Sequence, residues 1–473
     1  MDLATFQPSK SLSHWASADP HATALVGPNA SFSATELFET VQGLAAGLSN
    51  EGIVPRDLVG IDFSGEYALL LAKALFDIGA SWVPWSSSSE LQHLSIKAVI
   101  TQTPQVIESS RVIVIDQEWL ASLARFTPNP TRPVEWQEED LCYITFSSGT
   151  TGARKAIGIN AELMDSRLSD FVPRSEIVFP VFTLFPPLTS IAFHSALVQL
   201  VERECIYLPG SAAHNVDVIE RFEIRCLRGS PNFLSDVIRS SNSEMRKNWK
   251  LESVICGGGR MGATLIDGFH EVPGCEVFIS YGATEVGTIS SGVLRANSNS
   301  VGRVQDEVAL EIRSDTGEVL PDGEYGEIFI KKAVQVNSYL TSSGVETGLN
   351  AGWFRPGDFG HLQNGELFLA GRTNERINAG GTKIDPLSAD QIMQEFPGVS
   401  DAACFPIEEA GATANWGVAV VPLPTFNAEV FASFCLEHFG DARPTLVVSV
   451  KELPRNAMGK VNRIDLAKLA LPR

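Results

Sequence analysis

Residues 143–155 read YITFSSGTTGARK: a short β-prone run, a burst of Ser, Thr and Gly, then two cations. A loop of that composition wraps oligophosphate. Gly149 and Gly152 let backbone amides approach anionic oxygens, Ser147, Ser148, Thr150 and Thr151 donate hydrogen bonds, and Lys155 neutralises charge. The order Gly-x-x-x-x-Gly-Lys-Ser/Thr is absent, so this is not a Walker A loop. A polar surface loop would account for Ser and Gly alone. Two adjacent threonines flanked by glycines and followed by lysine favour phosphate binding.

Composition sets the outer bounds. A chain of 473 residues with 44% hydrophobic content can bury a large core and should hold two or more structural units. A net charge of −20 disfavours a nucleic-acid or anionic-membrane partner, because a counterion-releasing binder needs a basic face. The first residues, MDLATFQPSKSLSHW, lack the charged start and apolar stretch of a signal peptide. The long uncharged run at 177–193 is broken by Pro180, Pro186 and Pro187, which fits a core strand plus turn better than a membrane span. Seven cysteines occur without CxxC or metal-ligand spacing and read as reduced core residues. A soluble, cytoplasmic protein is the expectation.

Along the chain the pattern is α/β. Helical spacing covers 35–48 and 68–78, and 99–101 and 112–115 read as buried strands, so sheets covered by helices are predicted. From 308 to 330 the texture changes to short strands with turn signals at 315–317 and 321–323. The polar stretch GRTNER, from Gly371, reads as a joint before a last block with strands at 418–422 and 446–450, a small α+β domain.

Four further segments carry chemistry. YGATE at 281–285 ends an apolar strand: the ring of Tyr281 can stack on a base, Thr284 can bind phosphate, and Glu285 can hold Mg²⁺. GWFRPGDFG at 352–360 offers Asp358 in a Gly-flanked turn suited to two ribose hydroxyls. Arg372 lies fourteen residues on, a candidate for ribose or phosphate contact. PRNAMGKVNR at 454–463 places Lys460 after a glycine in a loop. Each segment alone has a bland reading as turn or solvated surface; the case rests on their joint occurrence.

Together, SSGTTGxxK, YGxTE, GWFRxGD, GRxxxxIxxxGxK and PRNAMGKVNR, with SVGRV at 300–304 and DGEYGEIFI at 322–330, resemble the adenylate-forming ligases over nearly the whole chain. That family includes acyl- and aryl-CoA synthetases, peptide-synthetase adenylation domains and luciferases. The resemblance implies a large N-terminal domain (1–371) of helix-covered sheets plus a small β-rich segment, a hinge (372–376) and a small mobile α+β C-terminal domain (377–473). It assigns 147–155 to the β- and γ-phosphates, Tyr281 to adenine, Thr284 to the α-phosphate, Glu285 to Mg²⁺, and Asp358 and Arg372 to ribose. Lys460 would bridge the acid's carboxylate and the α-phosphate, and Gly381 would line the path of the attacking thiol. The chain departs from the family's usual residues at Arg154, Ala156, Pro356, Asn374, Lys383 and Ser388, none of which removes a catalytic group.

Implied substrates are ATP, a small carboxylic acid and coenzyme A. A carrier-protein phosphopantetheine is the alternative acceptor, and a nucleotide-binding protein without ligase activity is the reading from another class. The segment PLTSIAF at 187–193 lacks the Asp with which amino-acid-activating members pair an α-ammonium, so an α-amino acid is disfavoured. Candidate pocket residues are Ser190, Phe193, His194, Gly257, Gly258, Gly259 and Ala283. The three glycines open one wall or simply make a tight turn. His194 reads as a substrate contact or a satisfied core residue, and Arg228 and Arg260 read as solvated surface, with pairing to a second carboxylate of the substrate as the alternative.

Overall fold

The apolar runs expected as buried strands are strands, and they pair in parallel. The computed structural model describes residues 8–85, 94–103, 111–123, 134–146, 155–171, 176–259, 261–295, 299–341, 344–347, 349, 351–372, 377–379, 382–407, 415–455 and 461–470. In one sheet Arg111–Val114, Ala98–Thr101, Leu58–Asp62, Ser81–Pro84 and Leu141–Phe146 lie side by side in parallel. Val59, Trp82, Val99 and Ile100 are wholly buried, as strands covered on both faces require. The sheet then changes direction. Leu141–Phe146 pairs antiparallel with Ala156–Asn160, which is followed by Ser338–Thr341 and Gly344–Thr347.

A second sheet repeats the plan on a larger scale. Thr23–Val26, Ile206–Tyr207, Val181–Thr183, Cys226–Gly229, Ser253–Gly257 and Glu276–Ala283 are parallel. An antiparallel end follows in the order Gly287–Val293, Ser300–Val304, Glu366–Arg372, Asp358–Gln363, Gly326–Lys331 and Ala309–Arg313. The expected turns in the 308–330 region are there, with Gly317 and Gly323 both at φ 88°.

Helices fill the space around the parallel halves. Ala34–Asn50 buries Leu37, Val41, Leu44 and Leu48 on one stripe and starts with a reciprocal Ser33/Glu36 cap. Gly65–Asp77 is buried along nearly its whole length. The run at 177–193 is a strand (Val181–Thr183), a turn, and then the head of helix Ser190–Glu202, capped by Thr189. Among the described residues no helix is long and apolar enough to cross a membrane.

The last block has cores of its own. Strands Val399–Ile407, Asn415–Pro422 and Leu446–Ser449 form a small sheet with helices Pro386–Gln394, Ala428–Phe439 and Arg463–Ala470. The apolar clusters here draw only on residues from Ile377 onward, including Trp416, Phe431 and Leu466. All seven cysteines are free; six are buried and Cys205 is half-buried.

Candidate active site

In each sheet one change of strand direction falls after the last parallel strand in the chain, and there the predicted motifs follow in sequence. Residues 147–155 follow Leu141–Phe146, and residues 284–286 follow Glu276–Ala283. The C-terminal ends of parallel strands are where open α/β sheets bind ligands.

At one end of the site Asp358 joins two of the predicted groups. It faces Arg372 across a hairpin whose turn residues, Asn364 and Gly365, both have positive φ (54° and 79°), as a two-residue type I′ turn demands. Arg372 Nε is 3.3 Å from Asp358 Oδ1, and the Tyr281 hydroxyl donates to Asp358 Oδ2 at 2.5 Å. Burial, then the adjacent carboxylate, push the Tyr281 phenol well above its ordinary pKa, so it remains a donor. Asp358 is buried and, as a carboxylate, is an acceptor-only group, the kind that receives hydroxyl donors.

At the other end Glu285 is buried, and its backbone carbonyl accepts from Val336 N at 2.8 Å. The Tyr339 hydroxyl donates to Glu285 Oε1 at 3.1 Å, and Lys155 Nζ sits 4.5 Å from the centre of the Tyr339 ring. Tyr339 can do this because its strand pairs with the one that follows Lys155, Leu340 opposite Ala156. Burial pushes the Glu285 carboxyl up in pKa, against the Tyr339 bond and the charges of Arg167 and Lys155. A cation at this carboxylate would relieve that cost. Magnesium is ordinarily held by one or two carboxylates, with phosphates and water completing its shell, so Glu285 fits such a role. Among the described residues no cluster of three or more His, Cys, Asp or Glu forms an all-protein cage.

Between these ends lies a polar network that sequence reading missed. Arg167, on helix Ala161–Leu168, is buried and Nη2 donates to the carbonyl of Thr284. Its charge also acts on the buried Tyr143 hydroxyl, against the desolvation that raises the phenol's pKa. That hydroxyl lies 2.9 Å from Ser190 Oγ and 3.0 Å from His194 Nε2. Burial and then the Arg167 charge hold His194 at a pKa of about 3, a neutral ring. Arg167 and Tyr339 carry no local signal, and Tyr143, which opens the stretch 143–155, reads in sequence only as part of a β-prone run.

The candidate pocket residues divide. Ser190 is half-buried at the head of its helix. His194 is a satisfied core residue, and Phe193 is wholly buried, edge-on to Phe76, Trp82 and Tyr143. Gly257 ends its strand, and Gly258 turns with φ 78° and has no atom within 4 Å of where a side chain would begin. Ala283 ends its strand beside Thr284. Arg228 is not the solvated residue expected: it is 9% exposed on a central strand, its guanidinium 4.4 Å from the Phe171 ring centre. An aromatic face can shelter an arginine that bulk water does not reach. Ser147, Ser148, Gly149, Thr150, Thr151, Gly152, Arg260, Gly381 and Lys460 lie outside the described residues.

The family model for AMP-binding enzymes matches residues 12–340. The chain is 26% identical to 4-chlorobenzoate–CoA ligase of an Arthrobacter species, over 94% of this chain and 92% of that one. It is 26% identical to indoleacetate–CoA ligase of Aromatoleum aromaticum, over 97% and 98% of the two chains. The Bacillus subtilis o-succinylbenzoate CoA synthetase, solved with its acyl-adenylate intermediate, superposes with a TM-score of 0.78 at 21% identity, over 97% of this chain and 98% of that one. A likeness at that identity is one of fold.

Proposed function

Since the chain belongs to the AMP-binding enzyme family, we propose that it activates a carboxylic acid with ATP and transfers the acyl group to the thiol of coenzyme A. The observation that carries this reading is the convergence of Tyr281, Asp358 and Arg372 at one end of the site with Glu285, Tyr339 and Lys155 at the other. The activity named for the similar ligases supports coenzyme A as the acceptor.

In this reading Tyr281, Asp358 and Arg372 hold the nucleoside, and residues 147–155 hold the β- and γ-phosphates. Glu285 would hold Mg²⁺, which when bound supplies positive charge among the phosphate oxygens. An oxygen of the acid attacks the α-phosphorus; the new P–O bond forms as the bond to pyrophosphate breaks. Like-charge repulsion opposes that approach, and Lys460, bridging carboxylate and α-phosphate, lowers it, with Thr284 donating to the α-phosphate. The thiol then attacks the acyl carbonyl and AMP leaves. Residues 372–376 serve as the hinge on which block 377–473 turns between the two half-reactions, with Gly381 lining the thiol path.

The acid lacks an α-ammonium, because residues 187–193 hold no anion to pair one. Burying an unpaired ammonium would cost several kcal/mol. The aromatic cluster behind Ser190 supports an apolar or aromatic acid. The test is pyrophosphate release across an acid panel that includes α-amino acids, with coenzyme A and then carrier protein as acceptor. An aryl or acyl substrate giving a CoA thioester is expected. Faster release with an amino acid overturns the substrate class, and a thioester formed only on carrier protein overturns the acceptor.

A further inference from the structure

The turn that carries Thr284 and Glu285 is gripped from below at two points by one short segment. Arg167, near the end of helix Ala161–Leu168, donates to the carbonyl of Thr284; Asp170, three residues on, accepts from the amide of Thr288 at 3.3 Å through Oδ2. The two side chains pack directly under the turn. A side chain begun at Gly287 would meet Asp170 Oδ2 at 3.4 Å and Arg167 Cγ at 3.6 Å. The Arg167 charge also acts on the buried Tyr143 hydroxyl, which reaches Ser190 and His194.

The Tyr143 hydroxyl donates to Ser190 Oγ at 2.9 Å and lies 3.0 Å from Nε2 of the buried His194, so the Ser190 proton is left for a group placed against it.

We propose that Arg167 and Asp170 are positioning residues. They set the 284–288 turn so that Thr284 and Glu285 face the phosphates. The proposal rests on the ligase reading.

The test compares wild type with Arg167→Lys, Arg167→Met and Asp170→Asn by acid-dependent ATP–pyrophosphate exchange. Mg²⁺ is titrated in each case, and the apparent KM for ATP is measured at low and saturating acid. Thermal melts accompany each variant. Lysine keeps a buried cation but replaces the planar guanidinium fork with a point charge, so a folded Arg167→Lys should need about tenfold more Mg²⁺ and show a raised apparent KM for ATP. Asp170→Asn, which retains an acceptor oxygen, should show a smaller shift of the same kind. Thioester formation from supplied acyl-adenylate should change less than twofold. Variants whose Mg²⁺ requirement and ATP KM match wild type overturn the clamp, as do variants that lose both half-reactions equally. Wild type that exchanges pyrophosphate with no acid would instead overturn the ligase reading itself.

Discussion

Tyr281 and Asp358 belong to the same sheet but stand four strand positions apart, and yet phenol and carboxylate meet at 2.5 Å. At roughly 4.8 Å per strand a flat sheet would hold them about 19 Å apart. The antiparallel end of the sheet therefore coils back toward the parallel half, carrying Asp358 and Arg372 with it. The meeting of Tyr281 with Asp358 and Arg372 is a product of that curvature.

Asp358→Asn keeps the size of the side chain and removes its charge. A hydrogen bond to a charged group contributes about 1.5–3 kcal/mol, so the KM for ATP should rise roughly ten- to a hundredfold. The Tyr281 phenol should titrate at a lower pH once the neighbouring charge is gone. Ultraviolet titration of the variant reads that shift; a phenol that does not move would mean the 2.5 Å contact is not made in solution.

Glu285→Gln separates stability from function. Burial raises this carboxyl's folded pKa, so its favourable contribution is complete below the unfolded pKa of about 4.3 and is lost as pH rises through the folded value. Without ligands, the glutamine variant should be more stable than wild type at pH 7 and equal to it in acid. Its adenylation rate should fall by about 10²–10³ and call for more Mg²⁺. Melting curves at several pH values, paired with Mg²⁺ titrations, check both halves; a variant less stable at pH 7 would contradict the first.

His194 predicts the opposite slope. With a folded pKa of about 3 and an unfolded one of about 6.5, the unfolded chain takes up the proton first. Stability then drops as pH falls from 6.5 toward 3, by at most about 1.4 kcal/mol per pH unit from this residue. Denaturant unfolding of His194→Gln should show a flatter acid limb than wild type; identical limbs would show that the ring is not held neutral.

Lys460→Ala and Gly381→Leu should separate the half-reactions. The first should slow acyl-adenylate formation by about 10²–10³ while sparing thioester formation from supplied adenylate. The second should retain adenylation and abolish thioester formation, because a side chain at that point obstructs the thiol's passage. Single-turnover assays of each step decide; equal losses in both steps for either variant would remove the assigned role.

Some of this protein was legible in one dimension. Gly-flanked turns and the parallel strands are local features: neighbours in sequence supply the positive φ angles and the unbroken apolar runs. The strands at 98–101 and 253–257 and the helix at 34–50 follow from such patterns, as does the grouping of Thr284 with Glu285. What the tertiary structure decided was every property that depends on distant neighbours. Arg228 has no sequence mark that separates a solvated arginine from one lying on Phe171, because burial is set by which strands flank it. Arg167 and Thr284 are 117 residues apart, and Tyr339 and Glu285 54 apart. Such contacts exist only once two sheets have brought their last parallel strands to a common edge, since a hydrogen bond needs its partners within about 3 Å and no local spacing specifies that.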